Sequence, residues 1–374
     1  MKTNSRWRAP ALAAAALLAA TPGPEIRADN GRIPVWQQTT INAPGNYVLT
    51  RDITSPGIAI LIQATDVSLD LNGHTVTSTG SGSFPVYVFP PTGGRGLIEV
   101  RNGQLRDGTS SLYYDGVRAP SGIVFRLERV DLSTTGTQPT FISMLSNVEI
   151  LNCTLHDIPG TSPALDVDSG SVTATFTGRF EGNTVSRVGG TAIRLRGMTG
   201  GSIRQNVIQD YGSATAGTGL SLEGSSVGMG GTIVEGNAIR KGGASSIGLY
   251  LGVGWNRCSV SGNVIESAGV GMMVWALATR ISGNTVGSTQ SGGIQINNSQ
   301  NTIERNLVDT GNSSGIIFAS FAHANLVDGN TVQGHQAFGL VFQGFLNAYR
   351  GNMLRNNFSG AVSGSATDAG GNIP

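Results

Sequence analysis

Five charged residues, spaced in short regular pairs, are the strongest candidates for chemistry in this sequence. They are Asp166, Asp168, Arg194, Arg196 and Glu223. Two carboxylates can flank a glycosidic bond as acid and base or nucleophile, and carboxylate oxygens are ligands that calcium prefers. Arginine binds the carboxylate of an anionic sugar through paired hydrogen bonds. The set therefore points to a catalytic site for a polysaccharide, with calcium as a candidate cofactor and the metal ligands undefined.

Two reactions fit these residues. In a lyase, Arg194 or Arg196 would neutralise a uronate carboxylate or act near the proton that is removed. Arginine is a reluctant base because it stays protonated, and Tyr250 is the nearby alternative. In a glycosidase, carboxyls at alternate positions of one strand lie about 6.5–7 Å apart, which suits inversion, and those on neighbouring strands lie about 5 Å apart, which suits retention. The sequence leaves this choice open.

The elements that position these residues follow from an internal repeat. An aliphatic residue, two variable positions, Asn, one residue and a second aliphatic residue recur at Asn183, Asn206, Asn237, Asn263, Asn284, Asn306, Asn330 and Asn352. The last four separations are 21, 22, 24 and 22 residues. About nine residues after each Asn comes a second segment, usually Gly followed by alternating apolar residues, such as GMMVWA (271–276) and GIQINN (293–298). Alternation over such short runs indicates strands.

A repeat of this length with two or three short strands predicts an all-β parallel β-helix of about 12–13 coils. Leucine-rich repeats would show an L-x-x-L-x-L pattern, which is absent, and propeller blades need about 40 residues each. We expect the repeated asparagines to form one internal column, in which the amides hydrogen-bond between coils. Upstream, we expect Cys153, Val130 and Gly103 to occupy the equivalent position.

Alternation along the Gly-led strands predicts which side chains point outward. One outward column contains Asp166, Arg194, Ser221, Tyr250, Met273, Gln295, Ile317 and Val341, and its neighbour contains Asp168, Arg196, Glu223, Gly252, Trp275, Asn297, Ala319 and Gln343. The charged residues would thus lie on three adjacent coils, with Tyr250, Trp275 and Gln295 beside them as substrate-binding residues. The alternative is a ladder of ion pairs that only stabilises an exposed sheet.

Composition narrows the class of partner. The chain has 374 residues, a formal net charge of +1, 55 glycines and 13% charged residues. Nucleic-acid binding rests on clustered Lys and Arg, so this near-neutral balance argues against it. We expect a monomer that binds a polysaccharide. Rings at Phe84, Tyr87, Phe89, Tyr113 and Tyr114 could line a groove, although packing of loops on the solenoid is the preferred interpretation.

The N-terminus has the order of an export signal. Lys2, Arg6 and Arg8 precede an apolar run over residues 11–20, and small residues lead to a candidate cleavage point at Ala28. We therefore predict a signal peptide (1–28), an N-terminal cap (29–56), a β-helix (57–363) and a C-terminal tail (364–374), with no membrane span, in a secreted or periplasmic protein. The two cysteines, Cys153 and Cys258, would lie four coils apart, too far to bridge, and should be free and buried.

Over residues 40–363 the sequence resembles the right-handed parallel β-helix proteins of the pectin-lyase-like superfamily. The repeat carries this resemblance, together with the opening PGNYVLTRDI and SLDLNGHTV. It implies a polysaccharide substrate and a lyase, hydrolase or epimerase activity, although other members bind without catalysis. The hydrolase motifs NTD, DD and GHG and the epimerase motif DPHD are absent. We therefore favour a polysaccharide lyase acting on a uronate-containing glycan over a glycosidase, with a non-catalytic glycan-binding or adhesion solenoid as the alternative.

Overall fold

The structure, a computed structural model, describes residues 31–115, 122–136, 140–143, 147–170, 175–224 and 229–374. In these ranges every regular element is a β-strand. Each strand pairs in parallel with the equivalent strand one coil away. The predicted signal peptide lies outside the described residues. The predicted all-β parallel solenoid is confirmed. Of the three sheets described below, the second that each coil visits contains 13 strands in these ranges, one for each of about 13 turns.

Three sheets run along the solenoid, named A, B and C in the order in which each coil visits them. Sheet A contains Ile33–Val35, Gly45–Leu49, Val67–Asp70, Asn147–Leu151, Thr177–Glu181, Ser202–Arg204, Ile233–Glu235, Ser259–Ser261, Arg280–Ser282, Thr302–Glu304, Leu326–Asp328, Ala348–Arg350 and Thr367–Asp368. Sheet B contains Ile53–Ser55, Thr75–Ser78, Thr154–Ile158, Thr184–Val188, Val207–Tyr211, Ala238–Gly242, Val264–Glu266, Thr285–Thr289, Leu307–Gly311, Thr331–His335 and Met353–Arg355. The long strands Gly96–Asp107 and Ile123–Ser133 continue through the bend and belong to both.

Sheet C is formed by the Gly-led segments and by their equivalents upstream. Its strands are Thr39–Ile41, Ile60–Ile62, Val86–Val88, Leu112–Asp115, Thr140–Ser143, Leu165–Asp168, Ile193–Arg196, Thr218–Glu223, Ile247–Leu251, Val270–Val274, Gly292–Ile296, Ile316–Phe318, Phe338–Phe342 and Gly360–Gly364. A short additional pair, Met229–Gly230 with Trp255–Asn256, lies outside the three sheets. Alternate residues of each strand fill one continuous apolar interior, as Ile294 and Ile296 do, and the residues between them face outward.

The predicted asparagine column is confirmed as a hydrogen-bonded ladder at the bend between sheets A and B. Each backbone N–H and side-chain Nδ2 donates to Oδ1 of the asparagine one coil further on, at 2.8–3.0 Å, for example from Asn284 to Asn306. Cys153 occupies the equivalent position upstream and donates its backbone N–H to Asn183. The ladder also continues past Asn352 to Asn372. The asparagines thus satisfy buried backbone donors that the bend leaves unpaired.

A second polar ladder lies at the bend between sheets C and A, and the sequence analysis missed it. The backbone N–H groups of Thr279, Asn301 and Asn325 donate to the side-chain oxygens of Asn301, Asn325 and Asn347, at 2.8–3.0 Å. Only the last few coils carry asparagine here, so the pattern is too short to stand out in the sequence.

The glycine that opens the strands of sheet C is required by space. A Cβ at Gly293 would lie 2.4 Å from Val308 Cγ1 and 2.5 Å from the carbonyl oxygen of Gly315. Gly271 and Gly315 face equally close neighbours in their own coils. A valine side chain and a backbone carbonyl occupy the space that a Cβ would need at this position. This explains why glycine recurs there.

The sheets extend into both predicted end segments. Residues 33–55 supply strands to all three sheets, and Thr367–Asp368 adds a strand to sheet A after residue 363. Cys153 and Cys258 are free and buried, as predicted, and burial raises the pKa of the Cys153 thiol to about 12. Among the described residues there is no helix of the length and apolarity that a membrane span requires.

Candidate functional site

The five charged residues lie together on the outward face of sheet C. Asp166 pairs in register with Arg194 and Asp168 with Arg196, and the next coil places Ser221 beside Arg194 and Glu223 beside Arg196. The structure therefore places them in the two columns expected from alternation. We call this group the charged cluster.

Asp166 and Arg194 form the central ion pair of the charged cluster. Arg194 Nε and Nη2 donate to the two oxygens of Asp166 at 2.9 and 2.6 Å, and the Asp166 residue is only 7% exposed. Arg196 Nη2 lies 2.7 Å from Asp168 Oδ2 and 3.8 Å from Asp166 Oδ2. This two-point pairing holds the Arg194 guanidinium against the sheet.

Arg194 and Tyr250, two of the groups considered as bases in an elimination, both have a raised pKa. Burial opposes the charge on Arg194, but the hydrogen bonds and charge of Asp166 outweigh it and raise the pKa of Arg194. The pKa of Tyr250 is raised by burial and by the negative charge of Glu223. Arg194 is therefore a poor base, whereas Tyr250 is suited to donating a proton.

Glu223 is the carboxylate of the cluster that lacks a cation. No Lys, Arg or His nitrogen of the described residues lies within 4.0 Å of it, and Ser221 Oγ donates to its Oε1 at 3.1 Å. In the neighbouring coil, Nε of Arg196 is shielded from solvent and has no hydrogen-bond partner in the described part of the chain. A carboxylate without an ion pair among the described residues thus lies one coil from an arginine that is paired with Asp168.

Two pockets lie on this part of the face. One, of about 180 Å³, is lined by Thr140, Phe141, Ser162, Pro163, Asp166, Arg194 and Arg196. The other, of about 500 Å³, is lined by Thr218, Ser221, Glu223, Gly224, Ile247, Tyr250, Gly252 and Val253. Arg196 lines the first pocket and Glu223 the second, and the two are register partners, so the pockets are neighbours along the solenoid axis. We call the two pockets together the groove.

The remaining predicted binding residues lie further along the same face. Tyr250 is the register partner of Ser221 and lines the larger pocket. Gln295 lies two coils beyond Tyr250, next to Met273. Trp275 follows the strand Val270–Val274 and lies half-buried one coil beyond Tyr250, and neither it nor Gln295 lines that pocket. The structure therefore brings Tyr250 to the charged cluster and leaves Trp275 and Gln295 at a distance along the axis.

Aromatic side chains extend the face in the other direction. Tyr87, Tyr113 and Phe141 are consecutive register partners, and Phe141 is in turn the partner of Asp166. We expected these rings to belong to loops that pack on the solenoid. This is wrong for Tyr87 and Tyr113, which lie on strands, and Tyr114 points into the core. The sequence analysis missed Phe141, although its place in the alternating segment TFIS (140–143) was a usable signal.

Charged residues are not confined to sheet C. On sheet A, Arg126 Nε lies 2.7 Å from Glu149 Oε2 and Arg126 Nη1 lies 3.5 Å from Glu99 Oε1. This ladder was missed, although GLIEVR (96–101) and IVFRLE (123–128) show its alternation. On sheet B, His156 bridges Asp131 at 2.8 Å and Asp157 at 2.6 Å. A pocket of about 590 Å³ near the sheet B group is lined by residues that include Asp157 and Arg187. The carboxylates named here are paired, whereas Glu223 of the charged cluster has no cation within 4.0 Å in the described part of the chain.

The residues of the charged cluster do not form a metal site by themselves. In the described ranges no three or more His, Cys, Asp or Glu side chains are grouped so that they could hold a metal ion. Asp166 and Asp168 are both bound by arginine. A calcium ion at this face would therefore need ligands from the bound sugar.

Comparison with known proteins identifies the fold. Residues 213–359 match the model of a family described as right handed beta helix region. The chain is a right-handed parallel β-helix. No curated protein has a matching sequence.

Solved structures share this β-helix at low sequence identity. A variant of the periplasmic alginate epimerase AlgG matches with a TM-score of 0.53 and 10% identity, over 87% of this chain and 79% of that one. Tailspike protein 3 of bacteriophage CBA120 matches with a TM-score of 0.52 and 10% identity, over 87% of this chain, which spans only 54% of the tailspike. At this identity the likeness shows the β-helix fold and does not extend to the site.

Proposed function

We propose that the charged cluster and its groove bind a uronate-containing polysaccharide along the solenoid axis and cleave it by β-elimination outside the cytoplasm. The observation that carries the proposal is the position of Glu223, which has no cation within 4.0 Å among the described residues and is the register partner of Arg196, in one of two neighbouring pockets. The basic, apolar and small residues at the N-terminus support export. The alginate epimerase and the tailspike, which share the fold, are consistent with a glycan ligand.

Each residue has one role in this reaction. Arg196 binds the uronate carboxylate and neutralises it, which acidifies the proton on the adjacent carbon. Glu223 removes that proton, a carbon–carbon double bond forms, and the bond to the glycosidic oxygen breaks. Tyr250, whose raised pKa keeps it protonated, donates a proton to the departing oxygen. Asp166 and Arg194 form the rigid support beneath.

A non-catalytic glycan-binding protein is the second candidate. The row of rings formed by Tyr87, Tyr113 and Phe141 favours it, because a binding surface needs aromatic area and no base. In that case the ion pairs of the charged cluster would hold the sheet together and contribute little else.

A panel of polysaccharides, with and without calcium, separates these functions. We expect absorbance from unsaturated uronate products, and we expect Glu223→Gln to lose it while binding is retained. New reducing ends without unsaturation would indicate hydrolysis and overturn the elimination. Binding without either product would favour the second candidate, and absence of binding across the panel would reject both. Asn297→Ala, on the same face but away from the pockets, is the matched control.

A further inference from the structure

We infer that Phe84, Tyr87, Phe89, Tyr113 and Phe141 form stacking subsites for the sugar rings of a glycan that extends from the charged cluster toward the N-terminal coils. We call these five residues the aromatic row. The inference rests on the proposed function for its substrate class and adds where the rest of the chain binds.

The aromatic row is one connected surface. Ring centroids lie 5.3 Å apart between Tyr87 and Tyr113 and also between Tyr113 and Phe141. Phe84 lies 5.1 Å from Tyr113, and Phe89 lies 6.1 Å from Tyr87. The register then passes from Phe141 directly to Asp166, so the row and the charged cluster share one continuous column of sheet C.

Packing of the solenoid does not require these rings. On the same strands Val86, Val88, Leu112, Tyr114 and Ile142 point inward and are fully buried. All five rings of the row are half-buried on the outer surface. A contiguous and partly exposed group of rings on an outer face is typical of a binding surface.

The shape and chemistry of the row match an extended glycan. The C–H face of a pyranose stacks on an aromatic ring, because the ring offers apolar area with a negative face. Coils repeat at about 4.8 Å, close to the length that one pyranose adds to an extended chain, so successive coils can contact successive sugars. From Tyr87 to Tyr250 the column crosses six coil steps, about 29 Å. The site should therefore hold about seven sugars, with the uronate at Arg196 and the chain stacked on the row.

Binding of size-fractionated oligomannuronates and oligogalacturonates, from dimer to decamer, tests the inference by calorimetry. Every protein in this series carries Glu223→Gln, so that the oligomers bind without being cleaved. In that parent, affinity should rise with length until the chain covers the row. Tyr113→Leu and Tyr87→Leu keep apolar bulk but lose the flat face, and each should weaken the long oligomers about three- to tenfold. Tyr113→Phe should bind like the parent. Phe321→Ala, which removes a ring that is 68% exposed elsewhere, is the control.

The outcomes separate this inference from the proposed function. If Arg196→Ala loses binding while both Leu variants bind every length like the parent, the aromatic row is not a subsite and the proposed function stands. If only the Leu variants lose affinity, the row binds glycan and the charged cluster does not. If a Leu variant unfolds, the tyrosine absorbance difference on adding decamer is measured in Tyr250→Phe, which removes the tyrosine of the groove. Stacking on Tyr87 and Tyr113 must still perturb the absorbance, and an unchanged spectrum would overturn the inference.

Discussion

Replacing Asn306 by alanine should remove four hydrogen bonds from the interior of the solenoid. Its Nδ2 donates to the carbonyl of Ile281 and to Oδ1 of Asn330, both at 2.9 Å. Its Oδ1 accepts from the backbone N–H and from Nδ2 of Asn284, also at 2.9 Å. All of these groups are shielded from water, so none can exchange a lost partner for solvent without opening the coil.

The magnitude follows from the groups that are left unsatisfied. Asn284 Nδ2 keeps its bond to the carbonyl of Val260, and Asn330 Oδ1 keeps the backbone N–H of residue 306. The backbone N–H of Asn284 and the carbonyl of Ile281 lose these partners. At about 1–3 kcal/mol for each buried unsatisfied group, we expect a loss of about 3 kcal/mol in the free energy of unfolding.

Urea unfolding followed by circular dichroism measures this loss. For a chain of this size, m is about 3 kcal/mol/M, so the midpoint should fall by about 1 M. In Asn306→Asp, the carboxylate still accepts from Asn284, but it has no proton to donate to the carbonyl oxygen of Ile281 or to Oδ1 of Asn330. At neutral pH this variant should therefore lose at least as much stability as Asn306→Ala. Asn312→Ala removes an exposed amide from the same coil and should change stability by less than about 0.5 kcal/mol.

A midpoint for Asn306→Ala equal to that of the parent would refute the reasoning. It would mean that the amide ladder is replaced by water at no cost, or that the asparagines are not buried. Equal losses in Asn306→Ala and Asn312→Ala would also contradict it, because the effect would then not depend on the ladder.

Three further predictions concern other parts of the molecule. Gly293→Ala should lower the free energy of unfolding, measured by urea unfolding, by about 1–3 kcal/mol, because its Cβ would overlap Val308 and the Gly315 carbonyl. In the control Gly57→Ala, the new Cβ meets no atom within 4 Å, and stability should not change. Glu223→Gln should lower kcat on a uronate polymer at least about 100-fold with an unchanged melting temperature, and equal kcat would remove Glu223 from the mechanism. The Cys153 thiol should resist a thiol reagent in the native state and react in urea. The free energy of unfolding should also fall as pH rises above 9.0, because the thiol ionises there in the unfolded state, whereas burial raises its pKa in the folded state to about 12. A pH-independent midpoint between 8 and 10 would contradict the last expectation.

Alternation and the repeated asparagine were sufficient to predict the register of the coils. A slip of one residue would turn every inward Ile and Leu outward, so the hydrophobic pattern admits one pairing. For this reason the partners of Arg194 and Arg196 could be named from the sequence. The second polar ladder, at Asn301 and Asn325, could not be predicted from the sequence, because too few coils share its spacing.

The sequence by itself determined the parallel β-helix, the internal asparagine column and the outward position of the five charged residues, because these depend on periodicity that local residue types enforce. The tertiary structure decided which charges pair. Arg194 binds Asp166 with two hydrogen bonds, Glu223 has no cation beside it among the residues that the structure describes, and a comparable ladder on sheet A is paired by Arg126. It also decided that Tyr87, Tyr113 and Phe141 meet on one face. Side-chain partners lie on coils about 20 to 30 residues apart, and their rotamers and pockets arise only when the coils stack.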